Sequence, residues 1–219
     1  MPDSFDDLLQ RLEDGTRFSW SRWGDGEWRA TLRTKTSRHA NCDGHRYFES
    51  LGNRLKEILE LQPSYQISIQ PLAKRLFADH PEFRRLVEKN TWCRGAGLHY
   101  ASMRGELPRL MRQLKKRHTI LVGNASLSPI PCDRHIKIPQ QNAWTAYRSI
   151  KGQIREAIKE DSVVVYCAGM PANVLIGHFH AQPITQIDAG AIFDPYCGQQ
   201  IRSYHRDRKF SFDLKTLLV

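Results

Sequence analysis

The chain lacks any Cys-x-x-Cys pair, and its five cysteines (Cys42, Cys93, Cys132, Cys167 and Cys197) are odd in number and widely scattered. That spacing excludes a disulfide framework or a structural zinc site and points to a reducing interior. No apolar run is long enough to span a bilayer, and the acidic, amphipathic stretch from Met1 to Gln10 does not follow the basic-then-apolar order of a secretory leader. A soluble, intracellular protein of the cytoplasm is expected. Three catalytic signatures are also missing. The absence of Gly-x-Gly-x-x-Gly after a strand disfavours a dinucleotide cofactor, and the absence of a Gly-Lys-Ser/Thr loop removes the common nucleotide hydrolases. There is no Gly-x-Ser-x-Gly elbow, and Cys167 falls in an apolar strand pattern, so nucleophilic hydrolysis has no candidate. Acidic residues are scarce: 23 Asp and Glu against 33 Lys and Arg leave a net charge of +10. Such a surface prefers polyanions, whether nucleic acid, anionic headgroups or phosphorylated substrates.

What is present is enough for a core. With 219 residues, 40% of them hydrophobic, the chain suits a single α/β domain over 1–219, with a variable basic helical segment at about 72–117. The stretch around which the rest is organised runs from Phe18 to Trp28. Phe18, Trp20 and Arg22 alternate with Ser19, Ser21 and Trp23 as a strand does, and Gly24-Asp25-Gly26-Glu27 then leads into a helix reaching Leu32. The two glycines let the backbone turn sharply and let a ligand approach. Asp25 and Glu27 can offer two hard oxygen ligands to a divalent cation and the diphosphate it carries. The competing reading is that Asp25 caps the helix and Glu27 favours its positive end. Arg22 and the surrounding aromatics favour a functional site.

Further on, helices are expected at Asp6 to Leu12, Tyr47 to Leu61, within Leu72 to Asn90 (two, parted near His80-Pro81), and at Leu107 to Arg117. Arg33 to Asp43 reads as a polar, basic loop, and Trp92 to Tyr100 as a strand or loop near the site. Tyr65 to Gln70, Thr119 to Val122, Arg134 to Ile138, Ser162 to Ala168 and Pro183 to Ile187 read as strands. A long helix is expected from Ala143 to Lys159 and another from Pro171, which suits a first helical turn. The apolar run Val163 to Tyr166 is typical of a central parallel strand. This succession predicts right-handed βαβ units, and so a Rossmann-like, mostly parallel sheet flanked by helices. His178 and His180, two apart, point different ways and read as surface or packing residues. In open parallel sheets ligands bind beyond the carboxyl ends of the strands. That edge would gather Gly24 to Glu27, Gly123-Asn124, Gly169-Met170-Pro171 and Asp188-Ala189-Gly190, which together suggest a nucleotide site with a metal.

These residues carry a resemblance. Arg22-Trp23-Gly24-Asp25-Gly26-Glu27 resembles the Arg-Phe-Gly-Asp-Gly-Glu signature of GT-D-type glycosyltransferases. The similarity continues in order through Val122-Gly123-Asn124, Pro139 to Trp144, Gly169 to Leu175 and Gln186 to Gly190, spanning about residues 16–198. It implies transfer of a sugar from a nucleotide-diphosphate sugar, a UDP-sugar being favoured, with a divalent metal (Mn2+ or Mg2+) held by Asp25 and Glu27. Arg22 would be an anion partner, and Gly24, Gly123, Asn124, Asn142, Gly169 and Pro171 would line the donor site. Glu27, Asp188 and Asp194 are the candidate bases, which the sequence does not rank.

Net charge and three basic clusters (Arg29 to His39, one face of 107–117, and Arg202 to Lys209 with Tyr204, Phe210 and Phe212) favour a hydroxymethylated pyrimidine in DNA as the acceptor, as a phage-type base glycosyltransferase would use. The alternatives are a cell-surface or lipid-linked saccharide and a non-catalytic module that binds nucleic acid. On the 107–117 helix, a solvated face is the slightly preferred reading.

Overall fold

A computed structural model describes residues 4–34, 46–95, 97–199 and 212–218. Helix α1 (Phe5–Glu13) starts where Ser4 accepts the Asp7 amide at 3.1 Å, and it buries Phe5, Leu8, Leu9 and Leu12. Strand β1 (Ser19–Trp23) follows, then α2 (Asp25–Thr31) and α3 (Glu49–Glu60). Next come β2 (Gln66–Ile69), α4 (Pro71–Phe77), α5 (Pro81–Lys89) and β3 (Trp92–Cys93). Both α4 and α5 begin on a proline, whose fixed φ suits a first turn and whose missing N–H would be unpaired there anyway. The chain continues with α6 (Leu98–Met103), α7 (Leu107–Leu114), β4 (Thr119–Asn124) and β5 (Arg134–Ile138). It finishes with α8 (Tyr147–Ala157), β6 (Val163–Cys167), α9 (Pro171–Phe179) and β7 (Thr185–Asp188).

The strands form one seven-stranded sheet in the order β3-β2-β1-β7-β6-β4-β5, with every pairing parallel. Burial on both faces explains the apolar runs. In β6, Val163 and Val165 enter the layer under α1, α6 and α7, while Val164 and Tyr166 enter the opposite layer under α8 and α9. In β1, Trp20 joins the first layer, whereas Trp23 joins Trp28, Phe83 and Leu55 in the other. The Trp28 and Phe83 rings meet edge-on, their centroids 4.5 Å apart.

One expectation changes. The helix expected over Ala143 to Lys159 is broken: a 3-10 turn (Ala143–Ala146) precedes α8, and Asn142 before it takes a left-handed φ of 57°. Trp144 in that turn donates to Ser50 Oγ at 2.9 Å, so α3 sets its course instead of the α8 stripe. The basic face of 107–117 is solvent-exposed at Arg109, Arg112, Lys115 and Lys116, in keeping with the solvated-face reading, and three of these side chains also reach neighbouring elements. Arg109 pairs with Asp6 at 2.6 Å, Lys116 with Glu13 at 3.7 Å, and Lys115 donates to the Leu218 carbonyl at 2.7 Å. Most of the loop from Arg33 to Asp43, and the cluster from Arg202 to Lys209, lie outside the described residues.

Candidate active site

Because the sheet is parallel, all strand carboxyl ends share one edge, and β1 and β7 are neighbours in its middle. Gly24 leaves β1 with an extended backbone (φ −93°) and Gly26 lies inside α2, so neither makes the sharp turn expected of them. Space is what Gly24 provides. A Cβ there would come within 3.0 Å of Gln70 Oε1 and 3.2 Å of Glu27 Oε2. Into that space Glu27 folds back, its Oε2 accepting the Gly24 amide at 2.8 Å. Glu27 therefore closes the helix start. Asp25, the first helical residue, lies two positions earlier, more than half a turn round the axis. Its Oδ2 faces Arg29 Nε at 3.5 Å, and Arg29 in turn lies over the Phe77 ring.

The acid that shares surroundings with Glu27 comes from the far end of the chain. Asp188 ends β7, is 3% exposed, and takes the Arg22 amide on Oδ2 and the Gly190 amide on Oδ1, each at 3.2 Å. Burial, and then the charge of Asp188, push the Glu27 carboxyl up to about 7, against the pull of nearby amides and Arg22. Burial likewise raises Asp188, opposed by the Arg22 charge. Two carboxyls so placed share a deficit of positive charge that solvent cannot supply.

Arg22 projects from β1 on the Trp20 side of the sheet. Its guanidinium lies on Gly190: a Cβ there would sit 1.8 Å from Nη2, and the left-handed φ of 58° also favours glycine. Among the described residues it forms no ion pair within 4 Å. Beyond it opens a cleft of about 320 Å3 over the ends of β1, β2 and β3, lined by Trp20, Ser68, Gln70, Arg94, His99, Tyr100 and Arg104. Arg104 is held by two hydrogen bonds to Glu106, at 2.7 and 3.1 Å. His99 is pushed down to about 4, first by burial and then by Arg22 and Arg104, so it is neutral at pH 7. No carboxylate lines the cleft among the described residues, so the charged part of its lining is positive.

The other residues expected in the donor site sit further along the edge, several with structural duties. At Gly123 a Cβ would meet Leu127 Cδ1 at 2.6 Å, so that side chain would have to shift. Asn124 caps a short turn by accepting the Ser126 amide at 2.9 Å, and Asn142 accepts the Arg46 amide at 2.7 Å. Gly169 is left-handed and faces open space, and Pro171 starts α9. The sequence singled out Arg22, Glu27 and Asp188, which the fold brings together. Trp92 to Tyr100 was placed near the site and supplies Arg94 and His99 to the cleft. Arg104 was missed, since it lies in a helical segment with no motif. Also missed was the buried contact of the Ser21 hydroxyl with Asn173 Oδ1, which ties β1 to α9.

This architecture, a parallel sheet flanked by helices, is shared by solved structures of low sequence identity. Two solved structures of domain of unknown function 1792 share it: one with a TM-score of 0.67 at 18% identity, over 88% of this chain and 79% of that one, and one described as having a distinct glycosyltransferase fold, with a TM-score of 0.60 at 18% identity. A third, a new glycosyltransferase of the same type from Streptococcus sanguinis, aligns with a TM-score of 0.65 at 17% identity, over 95% of this chain and 92% of that one. The likeness is one of fold. No protein-family model and no curated protein matches the sequence.

Proposed function

We propose that the protein is a glycosyltransferase that moves a sugar from a nucleotide-diphosphate sugar to a hydroxyl acceptor. The observation that carries this reading is Arg22, whose guanidinium links the basic cleft to the Glu27–Asp188 pair. Cleaving a sugar–phosphate bond builds negative charge on the departing diphosphate. Arg22, with Arg94 and Arg104 behind it, is pre-positioned to meet that charge in a partly desolvated site. The likeness to a glycosyltransferase of known structure supports the same reading.

A divalent cation, Mn2+ or Mg2+, fits the corner on charge. Glu27 and Asp188 offer two hard oxygen donors with unmet positive charge, and such ions complete their shells with substrate phosphates and water. Asp25, expected beside Glu27 as a ligand, meets Arg29 through Oδ2 at 3.5 Å, a contact that does not occupy its other oxygen. Among the described residues no three His, Cys, Asp or Glu converge as a self-sufficient metal cage. When bound, the cation would neutralise the leaving diphosphate. Arg22 orients the donor, and Glu27 keeps the corner acidic.

For the acceptor, a hydroxymethylated pyrimidine in DNA is supported by the net charge of +10 and by the arginines of the cleft. A lipid-linked saccharide is favoured by another observation. Leu72 (41% exposed) and Leu76 (46%) stand one turn apart on α4, whose Pro71 lines the cleft, with Tyr100 (52%) also at its margin. A donor screen tests both: sugar nucleotides with Mn2+ or Mg2+, offered hydroxymethylated DNA or a lipid-linked saccharide. Release of nucleoside diphosphate with a one-sugar mass gain on either acceptor is expected. No turnover of any sugar nucleotide by a folded sample overturns the reading.

A further inference from the structure

The basic helices differ in what answers their charge. Arg85 on α5 meets Glu60 and Glu82, Lys56 on α3 meets Glu82 at 2.8 Å, and Arg109 and Lys116 meet Asp6 and Glu13. Helix α8 is different. Its Arg148, Lys151 and Arg155 stand at i, i+3 and i+7, within about 60° of one another round the axis. Arg148 and Arg155 are exposed and Lys151 is half-buried. Among the described residues none of the three forms an ion pair. The Lys151 ammonium lies over the Tyr147 ring, 5.8 Å from its centroid, and Arg155 Nη2 stands 3.5 Å from His178 Nε2 on α9. His178 is held below its usual range, by burial first and then by the charges of Lys151 and Arg155. Glu156, the one acid in α8, follows Arg155 and so lies about 100° away from it. Like charges three and four residues apart destabilise a helix, so α8 keeps a repulsion that an outside polyanion would relieve.

We propose that this face of α8 is a DNA-binding surface, on which Arg148, Lys151 and Arg155 contact successive phosphates of a duplex. The inference rests on the sugar-transfer reading for its purpose, which is to hold the acceptor. Spacing supports it. Arg148 to Arg155 covers about 10 Å at 1.5 Å per residue, the rise of about three phosphates on one strand at 3.4 Å each. Position supports it too. The chain reaches α8 from the carboxyl end of β5, so the stripe begins at the catalytic edge and runs back over β5, on which α8 packs. Contacts of this kind fix a duplex in place and carry no sequence information, which leaves base choice to the edge itself. An anionic bilayer is the competing partner, but docking there draws on apolar side chains that enter the headgroup boundary. Among the described residues α8 carries no exposed large apolar side chain. The net charge of +10 draws a polyanion in from a distance, and the stripe gives it a place to settle.

The test is fluorescence anisotropy of a labelled DNA duplex across a salt series, with the full chain and no sugar nucleotide, so that binding and transfer can fail separately. Three proteins are compared: wild type, the triple variant Arg148→Gln, Lys151→Gln, Arg155→Gln, and the α7 variant Arg109→Gln, Lys116→Gln. Wild-type affinity should fall linearly on logarithmic axes as salt rises. In the triple variant that slope should be shallower by about 2–3, at about 0.9 for each lost phosphate contact, and binding at about 50 mM salt should weaken by about tenfold or more. The α7 variant should match wild type. An unchanged slope in the triple variant, or an equal loss in the α7 variant, overturns the assignment to α8. A wild type that does not bind the duplex at low salt overturns it as well; flotation of that wild type, but not of the triple variant, with phosphatidylglycerol vesicles would give the face to a bilayer. The three single substitutions serve the same comparison if the triple variant does not fold.

Discussion

Replacing Glu27 with Gln should make the protein more stable above neutral pH, although the side chain caps a helix. A Glu carboxyl with an ordinary value of 4.5 is held at about 7 in the fold. The folded chain therefore keeps a proton that the unfolded chain has lost between those values, and stability declines as pH rises through that window. Below pH 4.5 both states are protonated and nothing is lost. Above about 7 the full penalty applies: about 3 kcal/mol at about 1.4 kcal/mol per tenfold change, reduced to about 1–3 kcal/mol because Glu27 keeps some solvent contact. Gln removes the charge yet leaves an oxygen to accept the Gly24 amide, so the cap at 2.8 Å survives. Thermal melts in metal-free buffer should show Glu27→Gln matching wild type at pH 4 and exceeding it at pH 8, by about 2–4 °C for each kcal/mol. A deficit at pH 8, or the same difference at both pH values, would refute the electrostatic account of the corner. A gain bought with activity is the pattern expected of a functional acid.

Gly190→Ala places a Cβ where Arg22 Nη2 now lies, at a left-handed φ. It should cost about 1–3 kcal/mol in urea melts and weaken sugar-nucleotide binding as much as Arg22→Gln does; unchanged binding would remove Arg22 from the donor site. Trp28→Ala empties a fully buried site against Phe83 and should cost about 3–5 kcal/mol in equilibrium unfolding. The double variant Arg109→Gln, Lys116→Gln breaks exposed pairs with α1 and should change stability by less than about 1 kcal/mol. Its retention on a DNA column at low salt should match wild type, and a marked loss would return α7 to the list of anion contacts.

The sheet was legible because burial on both faces forces recognisable patterns. The run Val163–Tyr166 and the alternation from Phe18 to Trp23 leave no other element for those residues. Arg22, Glu27 and Asp188 were legible as strand-end residues, since a parallel sheet must collect its carboxyl ends. Their pairing was not. Asp25 and Glu27 sit together in the chain, but helix geometry turns them apart, and only the register of β1 beside β7 brings Asp188 to Glu27. Gly24 looked like a turn glycine and proved to be a space for Glu27 and Gln70. Arg104 and the partners that α7 finds on its exposed basic face were hidden for one reason: a helical charge run looks the same in sequence whether it meets solvent, a neighbouring helix or a cleft.

The most direct measurement is nucleoside diphosphate release from a sugar-nucleotide panel by wild type and Asp188→Asn, with melting recorded on the same samples. The Glu27–Asp188 corner predicts release by wild type and a loss of about 100-fold or more in the variant, with the variant still melting cooperatively but below wild type, since Asn can accept only one of the two amides that Asp188 holds. Undiminished release by Asp188→Asn would contradict that assignment, and no release by folded wild type would contradict the proposed activity itself.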